Sequence, residues 1–313
     1  PRAITVFSEK QIPTNLINYL DYYFSEVVKN QQLSALSNTQ NIDKETLDQV
    51  QVILASKIKV TSIKWTDDGK EQETSSQFVS MIAMAFSLLL YMFVATYGAM
   101  VMQGVIEEKS NRIVEVMISS VRPFDLMMGK IIGIGLVGLT QMLIWGVIMG
   151  TGVSVMQGLL GQNEGSSIQE MLVYAVNVNW GQLISSFFIY FIGGYLIYAS
   201  TFAMFGSTVD NPQDAQQFVF PVTLLLLFAL YSTSNPDGPL AVWTSIIPFT
   251  SPVVMINRVA FGVSTGELIL SMGLLIVTSV FMIYLAARIY RIGIFMYGKK
   301  PSIKEISKWL FYK

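Results

Sequence analysis

The sequence contains no cysteine and no histidine in 313 residues. These absences exclude disulfides, thiolate and imidazole metal sites, cysteine nucleophiles and histidine general bases. Charge is scarce too. Asp, Glu, Lys and Arg make up 13% of the chain, and the net charge of −1 points to neither nucleic acid nor an acidic substrate. The chain is instead rich in apolar residues, with 52% hydrophobic residues and a mean hydropathy of +0.50, well outside soluble averages. The composition predicts a membrane protein.

Gaps between charged residues measure out the spans, because a hydrocarbon core of about 30 Å takes about 20 apolar helical residues. No charge occurs between Glu73 and Glu107, Lys130 and Glu164, Glu170 and Asp210, Asp214 and Asp237, or Glu267 and Arg288. We expect a mainly α-helical integral membrane protein with five transmembrane helices, at about 78–104, 131–156, 182–208, 216–233 and 266–288. The interval from Asp237 to Arg258 is also charge-free, but Pro239, Pro248 and Pro252 interrupt it. Proline removes backbone donors, so 239–257 reads as two short re-entrant or interfacial pieces.

Lys109, Arg112, Arg122 and Lys130 lie in the segment 105–130, and seven more basic residues lie at or beyond Arg288. Five spans place both groups on one side, which the excess of lysine and arginine makes cytoplasmic. The opposite loops, about 157–181 and 234–265, contain only Arg258 as a basic residue. The tail 289–313 holds Ser302 and Glu305 at capping-box spacing, with Trp309 following, and predicts a short interfacial helix on anionic lipid.

Residues 1–77 are soluble in character and fall outside the membrane in this topology. Leu16, Ile17, Leu20, Phe24, Val27 and Val28 recur at helical spacing, a second helix is expected at about 43–55, and 3–7 and 57–65 have strand composition. The expectation is a partial small α/β extracytoplasmic domain. With no initiator Met and an opening that reads as the middle of a strand, the sequence is expected to be part of a longer subunit.

Two stretches imitate nucleotide sites. Gly133, Gly135 and Gly138 satisfy the dinucleotide-binding pattern, but no strand precedes them and no acidic residue follows about 20 positions on. Helix packing is the better reading, and Gly146 with Gly150 repeats the small-residue spacing. Residues 293–300 nearly spell a phosphate loop, yet Lys300 stands where a hydroxyl must hold magnesium. No ATP site is visible.

The stretch 106–118 is the most informative. Ile106, Ile113, Val114, Met117, Ile118 and Val121 form an apolar stripe on a predicted helix, with Glu108 and Arg112 paired at i,i+4 and Pro123 closing it. A helix on the membrane surface and a contact helix for a cytoplasmic partner both fit. No Asp, Glu, Lys or Arg falls inside an expected span, which argues against a self-sufficient ion-coupled antiporter. Polar span residues such as Thr96, Gln141, Ser185, Ser186, Tyr190, Ser200 and Thr201 either line a pathway or satisfy one another.

Four stretches carry a family resemblance: Glu107-Glu108-Lys109-Ser110-Asn111-Arg112-Ile113-Val114-Glu115-Val116, Arg122-Pro123-Phe124-Asp125-Leu126-Met127-Met128-Gly129-Lys130, Asn211-Pro212-Gln213-Asp214-Ala215-Gln216-Gln217 and Ile247-Pro248-Phe249-Thr250-Ser251-Pro252. The chain resembles permease subunits of type-2 ATP-binding-cassette exporters, in the branch with sodium- and drug-export permeases. The resemblance implies six spans, of which this chain lacks the first, a second permease subunit forming a homo- or heterodimer, and a separate ATPase subunit. ATP and Mg would sit on that partner, with no cofactor in this chain and no nucleic acid involved. It implies a bacterial plasma membrane location, with the N-terminal domain extracytoplasmic and the C-terminus cytoplasmic. By position, Glu107, Glu108, Lys109, Arg112 and Glu115 become the ATPase-contact residues of a coupling segment. Pro248, Phe249 and Pro252 become an outer gate, and Asp210 and Asp214 mark a cytoplasmic loop. The alternatives are an ATPase-independent secondary transporter or channel, and a membrane-anchored sensor or scaffold acting through the external domain.

Overall fold

A computed structural model of the chain describes residues 3–8, 12, 14–37, 59–65, 71–74, 76–118, 120–160 and 178–296. The helices expected at about 43–55 and in the tail lie outside the described residues. The chain divides into two compact units, Pro1–Ile82 with Glu170–Val178, and Ala83–Gln169 with Asn179–Lys313.

In the first unit, β1 (Ala3–Ser8) pairs in parallel with β2 (Lys59–Trp65), which pairs antiparallel with β3 (Glu71–Thr74). Ala3 stands opposite Lys59, and Ser62 opposite Thr74. Parallel neighbours need a crossover, and α1 (Thr14–Ser37) lies in the connecting chain. The apolar set predicted for α1 splits. Ile17 is buried with Ile12, and Val6, Leu20 and Phe24 pack on them, whereas Leu16 and Val27 are exposed.

The second unit is helical. It contains α2 (Ser76–Ser110) from residue 83 onward, α3 (Ile113–Ile118), α4 (Pro123–Leu160), α5 (Trp180–Thr208), α6 (Pro212–Ser232), α7 (Pro239–Ile246), α8 (Ser251–Phe261) and α9 (Thr265–Gly293). Among the described residues, five helices are long and apolar enough to cross a membrane: Gln77–Ser110, Pro123–Gly152, Trp180–Thr208, Pro212–Ser232 and Thr265–Gly293. Each covers most of an expected span. Several run past it into charged sequence, because the i→i−4 hydrogen-bond ladder does not stop where hydrophobicity does.

Helix α5 is the centre. Two-thirds (67%) of its apolar window is buried, against 22–33% in the other four. Small residues let its neighbours approach, as lipid-embedded packing requires when burial of apolar surface supplies no drive between helices. A Cβ on Gly98 of α2 would lie 2.7 Å from Phe202, and one on Gly206 would lie 2.9 Å from the Met102 carbonyl oxygen. A Cβ on Gly193 would lie 2.5 Å from Leu275 of α9. On α4, Gly135 sits under the Tyr195 ring, whose hydroxyl donates to the Ile131 carbonyl at 2.6 Å, and Gly138 meets Tyr97 and Phe191. Two glycines of the nucleotide-like motif are thus packing residues. Gly133, Gly146 and Gly150 instead have open space where a Cβ would go. The order of these contacts shows α2 and α9 running in the same direction as α5, and α4 against it.

Gly206→Val should therefore lower stability by about 1–3 kcal/mol, since the added methyls meet backbone that cannot rotate away. Gly150→Ala should leave it unchanged or slightly raised. Melting curves of the detergent-solubilised protein measure both.

Candidate functional site

The predicted contact segment is not one helix. Helix α2 ends at Ser110, and Arg112 takes a left-handed backbone conformation with φ 54° before α3 begins at Ile113. That conformation, usually left to glycine or asparagine after a helix end, redirects the chain. The expected stripe breaks there. Ile106 and Val114 are buried, but Ile113 and Val121 are exposed.

The expected Glu108–Arg112 pair is also replaced, because the break at Arg112 removes the i,i+4 geometry. Glu108 instead meets Lys130 of α4 at 2.6 Å. Lys109 departs furthest from expectation. Its side chain is 0% exposed, so it presents nothing to a partner subunit. Its ammonium donates to the Ser207 carbonyl at 2.7 Å and the Gly293 carbonyl at 3.0 Å, and pairs with Asp210 at 3.0 Å. Ser207 and Gly293 lie in the last turns of α5 and α9, where carbonyls lack helical donors and the helix dipole favours a cation. One lysine caps two helices. Glu107, Arg112 and Glu115 do lie on the exposed side, joined by Arg122 and Phe124.

Asp210 and Asp214 do not share a loop. Only residues 209–211 separate α5 from α6, and Asp214 lies in the first turn of α6. Asp210, its side chain 31% exposed, closes the Lys109 knot on its outer side, where its carbonyl also accepts from Ser110 Oγ at 2.6 Å.

At the opposite end of α5, helices α7 and α8 form a hairpin. Its turn carries the predicted gate residues to residue 194, the midpoint of α5. Pro252 Cγ lies 2.8 Å from where a Gly194 Cβ would be, and Tyr198 Oη donates to the Phe249 carbonyl. Pro248 lies in the same turn. The amide of Ser251 donates to Ile247 O at 2.8 Å, that of Val254 to Thr250 O at 3.2 Å, and Pro252 has none. The start of α8 is thus closed and offers no ready anion site.

The hairpin is tied down by Arg258, which served in the sequence only as a topology marker. It donates from Nε to Pro236 O at 3.0 Å and from Nη1 to Ser245 Oγ at 2.7 Å, and pairs with Glu267 at 2.7 Å. A lone basic residue in the 234–265 loop, whose other charge is Asp237, was the available signal. Of the polar span residues, Gln141 accepts a hydrogen bond from Tyr97, Thr201 donates to Ile197 O and Ser185 to Gln182 O. Among the described residues, no group of three or more His, Cys, Asp or Glu side chains converges as a metal site would require.

The sequence profile described as ABC-2 family transporter protein matches residues 2–288. The chain is similar to an uncharacterized protein of Bacillus subtilis (strain 168), YhaP, with 32% identity over 78% of this chain and 58% of that protein. It is also similar to an uncharacterized protein of Methanocaldococcus jannaschii, MJ1024, with 29% identity over 87% of this chain and 62% of that protein. The chain thus spans about three-fifths of the length of these curated relatives. No solved structure matches it.

Arg258→Met should destabilise the hairpin end by about 1–3 kcal/mol, because it leaves buried acceptors on Ser245 and Pro236 without donors. Arg258→Lys should recover only part of this, as an ammonium cannot reproduce the guanidinium fork. Melting temperatures of the three purified forms check the ranking.

Proposed function

Because the chain belongs to the ABC-2 family of transporter proteins, we propose that it is the membrane-spanning permease subunit of an ATP-driven exporter. In this reading it moves a substrate out of the cell with ATP hydrolysed by a separate nucleotide-binding subunit. The observation that carries it is the family match over residues 2–288 on a chain whose described residues include five apolar helices of spanning length. The four motif stretches favour the sodium- and drug-export branch.

ATP and Mg belong on the partner, and a second permease subunit completes the pathway. The protein lies in a bacterial plasma membrane with the basic end of the bundle cytoplasmic, supported by the lysine and arginine bias. Residues 1–77 form part of an extracytoplasmic α/β domain, a reading supported by the short three-stranded sheet and α1. The α7–α8 turn with Pro248, Phe249 and Pro252 blocks the outer side.

The exposed set Glu107, Arg112 and Glu115 takes the ATPase contact, which Glu108 and Lys109 leave because their charges are engaged inside the bundle. ATP binding closes the ATPase, and the motion passes through segment 105–130 to the flanking spans α2 and α4. Coupling of this kind requires different contacts with the segment in each ATPase state.

Reversing the exposed charges together, by Glu107→Lys, Arg112→Glu and Glu115→Lys, should weaken retention of the ATPase about tenfold, or ~1.4 kcal/mol, in co-purification. Membrane insertion should be unaffected. Deleting residues 1–77 should leave retention intact, whereas a scaffold acting through the external domain would lose it. Transport by the full-length protein without nucleotide or partner would establish the channel or secondary-transporter alternative instead.

A further inference from the structure

Residues 105–130 are anchored inside the bundle at both ends, and unequally. At the exit, Lys130 of α4 holds Glu108 through one ion pair at 2.6 Å. At the entry, Lys109 reaches three acceptors that belong neither to α2 nor to α4: Ser207 O, Gly293 O and Asp210 Oδ1. A single ammonium reaches both helix ends because α5 and α9 meet backbone to backbone there. A Cβ on Gly293 would lie 2.6 Å from Ser207 Oγ and 3.0 Å from its carbonyl oxygen. Ser110, the last residue of α2, adds its bond to Asp210 O at 2.6 Å. Immediately beyond this knot the helix breaks at Arg112, and α3 leaves in a new direction with Lys109 seated at its root.

Resting on the exporter reading, we propose that Lys109 is a positioning residue that carries motion of segment 105–130 to the C-terminal ends of α5 and α9. The central helix of the permease is then driven directly and not only through the two flanking spans. Pulling the ammonium away from the carbonyls would strand a charge and two helix-end acceptors in a buried site. The ends of α2, α5 and α9 therefore move as one body. Substituting Met retains most of the side-chain volume and removes every donor.

None of these 313 residues is cysteine, so paired spin labels can be placed within them, any cysteine elsewhere in the complex first being replaced by serine. The full-length protein in complex with its ATPase is labelled at Trp243→Cys, exposed on α7, together with either Ser120→Cys or Arg291→Cys. Distances are read by pulsed electron paramagnetic resonance with and without a non-hydrolysable ATP analogue. In the parent, nucleotide should shift both distances. In Lys109→Met the Ser120 shift should persist and the Arg291 shift should be lost, with the ATPase still bound. The double variant Lys109→Met/Asp210→Asn removes both charges, leaves no unpaired buried carboxylate and should behave the same way if the single variant does not fold. An Arg291 shift that survives in either variant overturns the proposal. If nucleotide shifts neither distance in the parent complex, the exporter coupling itself fails, and this inference with it.

Discussion

Helix ends inside an apolar bundle leave carbonyls without donors, and this chain is organised by how it supplies them. Water is scarce in such a setting, so each unsatisfied group costs several kcal/mol. At one end of the bundle Lys109 donates to the terminal turns of α5 and α9. At the hairpin, Arg258 reaches the carbonyl that follows α6 and a side chain near the end of α7. Each cation has a carboxylate partner, Asp210 or Glu267. A neutral donor could satisfy one carbonyl, but joining several elements at a point takes a long side chain with several donors.

Between these two ties, α5 is held by close approach and not by charge. Gly193, Gly194 and Gly206 bring Leu275, Pro252 and the Met102 backbone against it, while Gly98 and Gly135 accept its Phe202 and Tyr195 rings. The broken pair α7–α8 reaches the midpoint of α5 with polar groups of its turn paired both internally and to neighbouring helices, Tyr198 of α5 donating to Phe249 O. Thr250 Oγ1 donates to Thr244 O, and Ser271 of α9 donates to Ser245 O at 2.7 Å. The large apolar side chains left outside, such as Leu143 and Val147 on α4 and Val277 and Phe281 on α9, suit lipid or a second subunit. The result is a centre whose packing has little slack, with charged ties on either side of it.

Much of this was legible in the sequence. Charge-free runs located the five long apolar helices found among the described residues, since length and hydropathy are properties of consecutive residues. Pro239, Pro248 and Pro252 announced the split now seen between α7 and α8. Assignments that depended on a helix continuing were less secure. A continuous helix would have put Glu108 beside Arg112, and the left-handed turn at Arg112 removed that pair and left Ile113 and Val121 of the predicted stripe exposed. Lys109 was misplaced for a related reason. A lysine at the end of an apolar helix is usually solvated, and nothing nearby in sequence reveals that its acceptors are Ser207, Asp210 and Gly293.

By itself, the sequence determined the class of protein, the approximate limits of the long apolar helices among the described residues, the break in the hairpin and the family resemblance. All of these are written in local composition and short motifs. Only the tertiary structure decided which charges face outward and which are spent inside. The bonds of Lys109 span 98 and 184 positions of chain, and those of Arg258 span 22 and 13. Whether a cation is a contact or a clasp depends on which helix ends are folded against it, and that is settled by packing around α5.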